Sequence, residues 1–231
     1  MDAGPTVDPS LLVLYTFDEG SGTTAGDSSG HGNDGALMGS ASWATAGHVG
    51  GALLLAGADP HVLLPPNLLD TYDTVTIAAW INLASLDPWA RIFDFGGSVD
   101  VNNFNANFMF LTPADPGKKL RLDANNTSAG KDVVVTSGVG LPVGSWHHVV
   151  FKADPFAAHT AGYELWIDGN LAGFTPAAGN TQVLISHLAP TPTNYLGKSH
   201  FPDPYLKGMI DDFRIYTRAL GEAEIVALAS Q

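Results

Sequence analysis

The chain has 231 residues with ten basic and 23 acidic side chains, a formal charge of −13, and no cysteine. That length suits one domain with a sizeable core, because all-β sandwiches of this size commonly fold as a single unit. With no lysine or arginine cluster to neutralise phosphates, nucleic acid is not an expected partner, and disulfides and thiolate metal sites are excluded outright.

Hydrophobic residues make up 45% and charged residues 14%, too apolar a balance for a disordered chain. The 26 glycines and 15 prolines supply turns every few residues and favour many short strands over long helices. Aspartate outnumbers glutamate by 19 to four, which points the same way, since Asp is the short carboxylate of turns and cation loops. No run approaches 18 apolar residues, so no membrane insertion by a helix is expected.

Residues 1–10 are expected to be a linker or leader remnant, with Pro5 and Pro9 opposing regular structure. A single domain is expected over residues 11–231. Residues 11–17 read as a strand that ends abruptly in the polar, glycine-rich stretch 18–35. Short strands are expected at Ala52–Leu55 and His61–Leu64, then a long one at Val75–Leu83 and another at residues 91–95. Polar and apolar residues alternate at 107–111 and 119–123, the pattern of half-exposed strands. Residues 145–153 and Tyr163–Ile167 read as central strands, the second turning at Asp168-Gly169 into residues 171–174, a hairpin whose turn needs positive φ. Residues 194–198 and 209–216 complete the strands, and residues 221–230 alone read as a helix, with acids near the start and Ile225, Val226 and Leu228 to dock it. The sum is 12 to 14 short strands with no helical crossover, hence an all-β, two-sheet antiparallel sandwich with a short C-terminal helix.

Five segments, YTFDEGSGTTAGDSSGHGNDG, GGALLLAGADPHVLLP, TIAAWINL, SWHHVVFKAD with ELWIDGNLAG, and KGMIDDFRIYTRALGEAEIVAL, occur in that order across the chain. Together they resemble the bacterial laminin-G-like domains of the concanavalin A-like lectin/glucanase superfamily. The resemblance implies a jelly roll of two curved sheets and a calcium ion near the paired chain ends. It also implies a non-catalytic binding module of a secreted or surface protein, extracellular in location. Polysaccharide or glycan is the first expected partner and a surface protein, through adhesion, the second.

Calcium takes six to eight oxygens at flexible geometry, so Asp27, Asn33 and loop carbonyls, joined by Asp18 or Glu19 and by Asp211, are chemically sufficient. The alternation of residues 209–216 puts Asp211 in phase with Phe213 and Ile215, toward the protein, and Asp212 toward solvent. The competing reading is an Asx-turn and a buried carboxylate paired with Arg214 or Arg218. Glycosidase chemistry needs a close carboxylate pair; the four glutamates, Glu19, Glu164, Glu222 and Glu224, begin no such pattern. A nucleophile-elbow match at residues 26–30 and a dinucleotide-fingerprint match at residues 30–35 both lack the strand–turn–helix context that gives those motifs meaning. For a sugar site, loop aromatics are the candidate platforms: Trp89, with His200, Phe201 and Tyr205, while Trp80, Trp146 and Trp166 read as core.

Overall fold

The computed structural model describes residues 8–96, 107–157 and 162–231. In chain order the strands are β1 (Leu11–Tyr15), β2 (Thr24–Ala25), β3 (Gly35–Met38), β4 (Ser42–Ala44), β5 (Ala52–Leu55), β6 (His61–Leu64), β7 (Val75–Leu83) and β8 (Phe93–Gly96). They continue as β9 (Phe108–Thr112), β10 (Arg121–Asn126), β11 (Lys131–Thr136), β12 (Trp146–Ala153), β13 (Tyr163–Ile167), β14 (Asn170–Thr175), β15 (Thr193–Leu196) and β16 (Gly208–Tyr216), followed by helix α1 (Glu222–Leu228). Two antiparallel sheets result. One runs β14-β13-β12-β7-β16-β5-β4 with β1 on β16; the other runs β11-β10-β9-β8-β15-β6-β3-β2.

Period-two alternation builds the core between the sheets. In β7, Ile77, Ala79, Ile81 and Leu83 face inward; in β8 and β9, Phe93, Phe95, Met109 and Leu111 meet them. Tyr15, Phe17, Phe151, Tyr163 and Phe213 are also wholly buried there. Each such side chain stabilises the fold by about 1.5–3 kcal/mol through removal of apolar surface from water.

The chain ends pair as expected, Leu11 opposite Tyr216 and Tyr15 opposite Phe213. Arg218 fastens them with charge, its Nη2 lying 2.6 Å from both Asp8 and Glu224 and its Nε donating to Ser10 Oγ at 2.9 Å. Helix α1 buries Ile225 and Leu228 against Leu11, Ala78, Val150, Trp166 and Tyr216 on the outer face of the first sheet. The expectation that Trp80, Trp146 and Trp166 are core is corrected: Trp166 is buried under this helix, Trp80 is buried against His48, Trp146 is half-buried, and none belongs to the core between the sheets.

One expectation of phase is corrected. The β7–β16 register shifts between Asp211 and Arg214, and Asp212 sits at φ 46°, so an extra residue breaks the alternation. Ile210 and Phe213 both enter the core, whereas Asp211 lies on the outer face opposite Trp80. It is nonetheless only 1% exposed, because residues 47–51 cover it.

The outer face of the second sheet carries a polar and aromatic row. Inward residues Met109, Phe95 and Leu122 leave their neighbours outward, and register places Asp123 opposite Phe110, Phe110 opposite Asp94, and Asp94 opposite Tyr195.

Candidate functional site

On that row a groove of about 530 Å³ opens, lined by Trp89, Arg91, Phe108, Phe110, Asp123 and Phe201, with Pro202 and Asp203 at its side. Its size is that of a small-molecule site. Phe108 and Phe110 project from β9 on the same face, ring centroids 5.5 Å apart and nearly parallel, and Phe201 meets Phe108 edge-on at 5.9 Å. Trp89 stands edge-on to Phe110 at 6.4 Å. Its backbone is in the left-handed region at φ 66°, a conformation a bulky residue adopts only where surroundings impose it.

A buried ion network holds these walls. Arg91, 3% exposed in its side chain, lies with Cζ 3.7 Å from the Phe110 ring centroid. Its Nη1 donates to the Trp89 carbonyl at 2.5 Å, its Nη2 to Asp203 Oδ2 at 2.8 Å, and its Nε approaches Asp94 Oδ2 at 3.5 Å. Burial pushes the Arg91 pKa down, against the pull of Asp94 and Asp203. Asp123 is held by Arg121, whose Nε and Nη2 donate to its two oxygens at 3.1 and 3.0 Å. Burial raises the Asp123 pKa in spite of that partner. The same network pins the segment that carries Phe201, since Asp203 also accepts from Ser199 Oγ at 3.0 Å.

Of the four loop aromatics named from the sequence, the structure brings Trp89 and Phe201 together in the groove. His200 is corrected from a ligand platform to a support: its side chain is 5% exposed, with Nδ1 2.9 Å from Asp94 Oδ1 and Nε2 2.9 Å from Thr193 Oγ1. Tyr205 stands outside the groove lining, in a neighbouring cluster where its ring stacks on His61 at 6.4 Å and its hydroxyl hydrogen-bonds Asp59. Sequence reasoning missed Phe108, Phe110, Arg91, Asp123 and Asp203. The alternation at residues 107–111 already placed two phenylalanines on one strand face, a signal that could have found them.

The carboxylates expected to bind calcium have other partners. Asp27 Oδ1 accepts from the amides of Leu14 and Ser29 at 3.0 and 2.9 Å, and its Oδ2 accepts from Ser29 Oγ and the Asn33 amide at 2.8 and 3.0 Å. Asn33 donates through Nδ2 to the Leu12 carbonyl at 3.0 Å. Glu19 accepts from the Gly26 amide at 2.7 Å, and Asp18 from the Gly51 amide at 2.7 Å. Asp211 accepts from His48 and Val49 at 2.8 and 3.0 Å and from its own neighbour Asp212 at 2.7 Å. Burial, only partly offset by these amides, raises its pKa to about 6.

Asp18 and Asp211 thus reach one loop, residues 47–51, where a β-carbon on Gly47 would stand 2.6 Å from Asp211 Oδ2. Asp27 and Asn33 instead close the loop along β1. Among the described residues no group of three His, Asp or Glu side chains converges to hold a metal. The donor set of Asp18, Glu19, Asp27, Asn33 and Asp211 therefore does not fit a single calcium sphere.

At the start of β12, Ser145 Oγ lies 2.9 Å from His147 Nε2, and His147 Nδ1 lies 2.8 Å from Asp168 Oδ2. This is the order of a nucleophile, its base and an orienting acid. Asp168 is 45% exposed, so water competes for these contacts.

Residues 56–226 match a laminin G family model described as the concanavalin A-like lectin/glucanases superfamily. No curated protein matches the chain by sequence. Among solved structures, domain 4 of AbnA, an extracellular GH43 arabinanase from Geobacillus stearothermophilus in complex with arabinotriose, is similar. It has a TM-score of 0.74 at 21% identity and covers 95% of this chain and 98% of that one. The Ruminococcus gnavus IT-sialidase CBM40 bound to alpha2,3 sialyllactose gives a TM-score of 0.57 at 16% identity, with 70% and 85% covered. The binding domain of botulinum neurotoxin DC in complex with rat synaptotagmin II gives 0.64 at 13% identity, with 97% and 52% covered. These likenesses concern the fold.

Proposed function

From the premise that the chain belongs to the concanavalin A-like lectin/glucanases superfamily, we propose that it is a non-catalytic carbohydrate-binding module whose ligand seats in the groove between Trp89 and Phe201. The observation that carries this reading is the groove itself. Residues remote in sequence form aromatic walls for the apolar faces of sugar rings, with carboxylates set among them to accept from hydroxyls. The jelly-roll neighbours support it, because the arabinanase domain and the sialidase module are each described with a bound oligosaccharide. The extracellular setting stated for the arabinanase supports placing this module outside the cell as well.

A glycan and polysaccharide array on the purified chain tests the reading. Binding to a defined glycan, weakened roughly tenfold or more by Trp89→Ala in a variant that melts normally, is the expected result. If no glycan binds while the protein is folded, the carbohydrate reading falls and a protein partner takes its place. A second reading, hydrolysis, rests on the Ser145–His147–Asp168 series. Labelling of Ser145 by a fluorophosphonate, abolished by His147→Ala, would establish it.

A further inference from the structure

The groove's charges are unequally committed. Both cations at the groove are engaged with carboxylates: Arg91 with Asp203 and Asp94, and Arg121 with both oxygens of Asp123. Arg91 Nη1 also donates to the Trp89 carbonyl and its Cζ lies against the Phe110 face, while its buried Nε makes no hydrogen bond and only approaches Asp94. Arg121 Cζ lies 5.3 Å from the Trp89 ring centroid, which occupies its face too.

The carboxylates differ. An ionised carboxylate offers about four lone-pair positions. Asp203 lines the groove at 23% side-chain exposure with contacts through Oδ2, and Asp123 lines it at 11%. Among the described residues, the carboxylates of Asp94, Asp123 and Asp203 stand against the two guanidiniums of Arg91 and Arg121. The chain as a whole adds a formal charge of −13.

We infer that this groove selects uncharged oligosaccharides and rejects anionic ones, because what it presents to a ligand is carboxylate acceptors and aromatic faces rather than an uncommitted cation. The inference rests on the groove being the carbohydrate site. A neutral sugar donates its hydroxyl protons to Asp123 and Asp203 while its ring covers the phenyl and indole walls. A uronate or sialate carboxylate entering the same space meets two like charges. To pair with either arginine it must break an ion pair and leave a part-buried carboxylate without its partner. Like charges facing each other across an interface oppose binding, and the expected discrimination is at least about tenfold.

The test is calorimetric titration of the whole chain with two probes, neutral arabinotriose and anionic α2,3-sialyllactose, alongside neutral and uronate oligosaccharides of matched length. The expected result is binding of a neutral member, insensitive to salt between low and moderate ionic strength, and binding of every anionic member at least about tenfold weaker. Asp123→Asn with Asp203→Asn removes the like charges and frees Arg121, while Arg91 keeps Asp94 and the Trp89 carbonyl. It is expected to narrow that ratio at least about tenfold while the melting temperature monitors folding.

An anionic oligosaccharide that binds as tightly as the neutral ones, and is lost in Trp89→Ala, overturns the selectivity and leaves the groove standing as a glycan site. No binding by either class overturns the glycan site and the selectivity with it. An unchanged ratio in the double variant overturns the assignment of selectivity to these two carboxylates.

Discussion

Replacing Arg91 by methionine removes a guanidinium that four groups depend on, and its cost can be worked from the contacts. Asp94 is wholly buried; Arg91 Nε lies 3.5 Å from it, and its other neighbours are the His200 imidazole at 2.9 Å and the His200 amide, which donates to it at 3.1 Å. Stripping one partner from a buried pair costs about 3–5 kcal/mol, because the charge left behind has no water to replace it. For a chain of this length each kcal/mol lowers the melting temperature by roughly 2–4 °C, so Arg91→Met is expected to melt roughly 6–20 °C lower. The loss reaches the groove as well, since Asp203 and the Trp89 carbonyl lose their donor and Phe201 its anchor. Urea unfolding and glycan titration on the same sample give both readouts. Combining Arg91→Met with Asp94→Leu removes the orphaned charge and is expected to recover much of the stability but not the binding. A stability loss below about 1 kcal/mol in the single variant, within the range of exposed pairs, would refute the claim that this network builds the groove.

Asp27→Ala leaves the Leu14, Ser29 and Asn33 amides without their acceptor and is expected to cost about 2 kcal/mol, read as a loss of roughly 4–8 °C in melting temperature. Burial raises the Asp27 pKa, but the three amides outweigh it and leave it below the ordinary value of 3.8, so its stabilisation is complete above pH 3.8 and is lost as the pH falls through the lower folded value. Asp211 behaves oppositely: with a folded pKa of about 6 against 3.8, its contribution is complete below pH 3.8 and is lost as the pH rises through about 6. Denaturant midpoints across that window, compared between wild type and Asp211→Asn, check the sign, and a variant that keeps the wild-type slope would refute it. Because the five expected calcium ligands do not converge, millimolar calcium and EDTA are expected to give the same melting temperature. A rise of roughly 5–10 °C in calcium, the equivalent of about 2.7 kcal/mol at a hundredfold excess over Kd, would reinstate the ion.

How far the sequence could be read depended on whether local signals coincided with tertiary ones. Val75–Leu83 and Tyr163–Ile167 were legible to the residue because β-formers and flanking turns agree there, and the Asp168-Gly169 hairpin because its turn admits positive φ at both positions. Thr24–Ala25, Gly35–Met38 and Ser42–Ala44 escaped because they sit among glycines and small polar residues, without the flanking turn signals that mark the equally short Ala52–Leu55 and His61–Leu64; their partners in the sheet define them. The pairing of the chain ends was readable, but the bulge at Asp211–Asp212 was not, since nothing in KGMIDDFRIY marks the inserted residue. At the groove, Trp89 and Phe201 were legible as loop aromatics. Arg91 and Asp203 were not, because their pairing depends on a fold that carries β15 beside β8.

The most direct measurement of the central claim is a two-dimensional amide NMR titration with the strongest neutral oligosaccharide from the array, following the five tryptophan indole N–H signals. The Trp89 signal is expected to move in proportion to occupancy while those of Trp43 and Trp166 stay in place. Movement of Trp80 and Trp146, on the outer face of the opposite sheet, with Trp89 unmoved would contradict it.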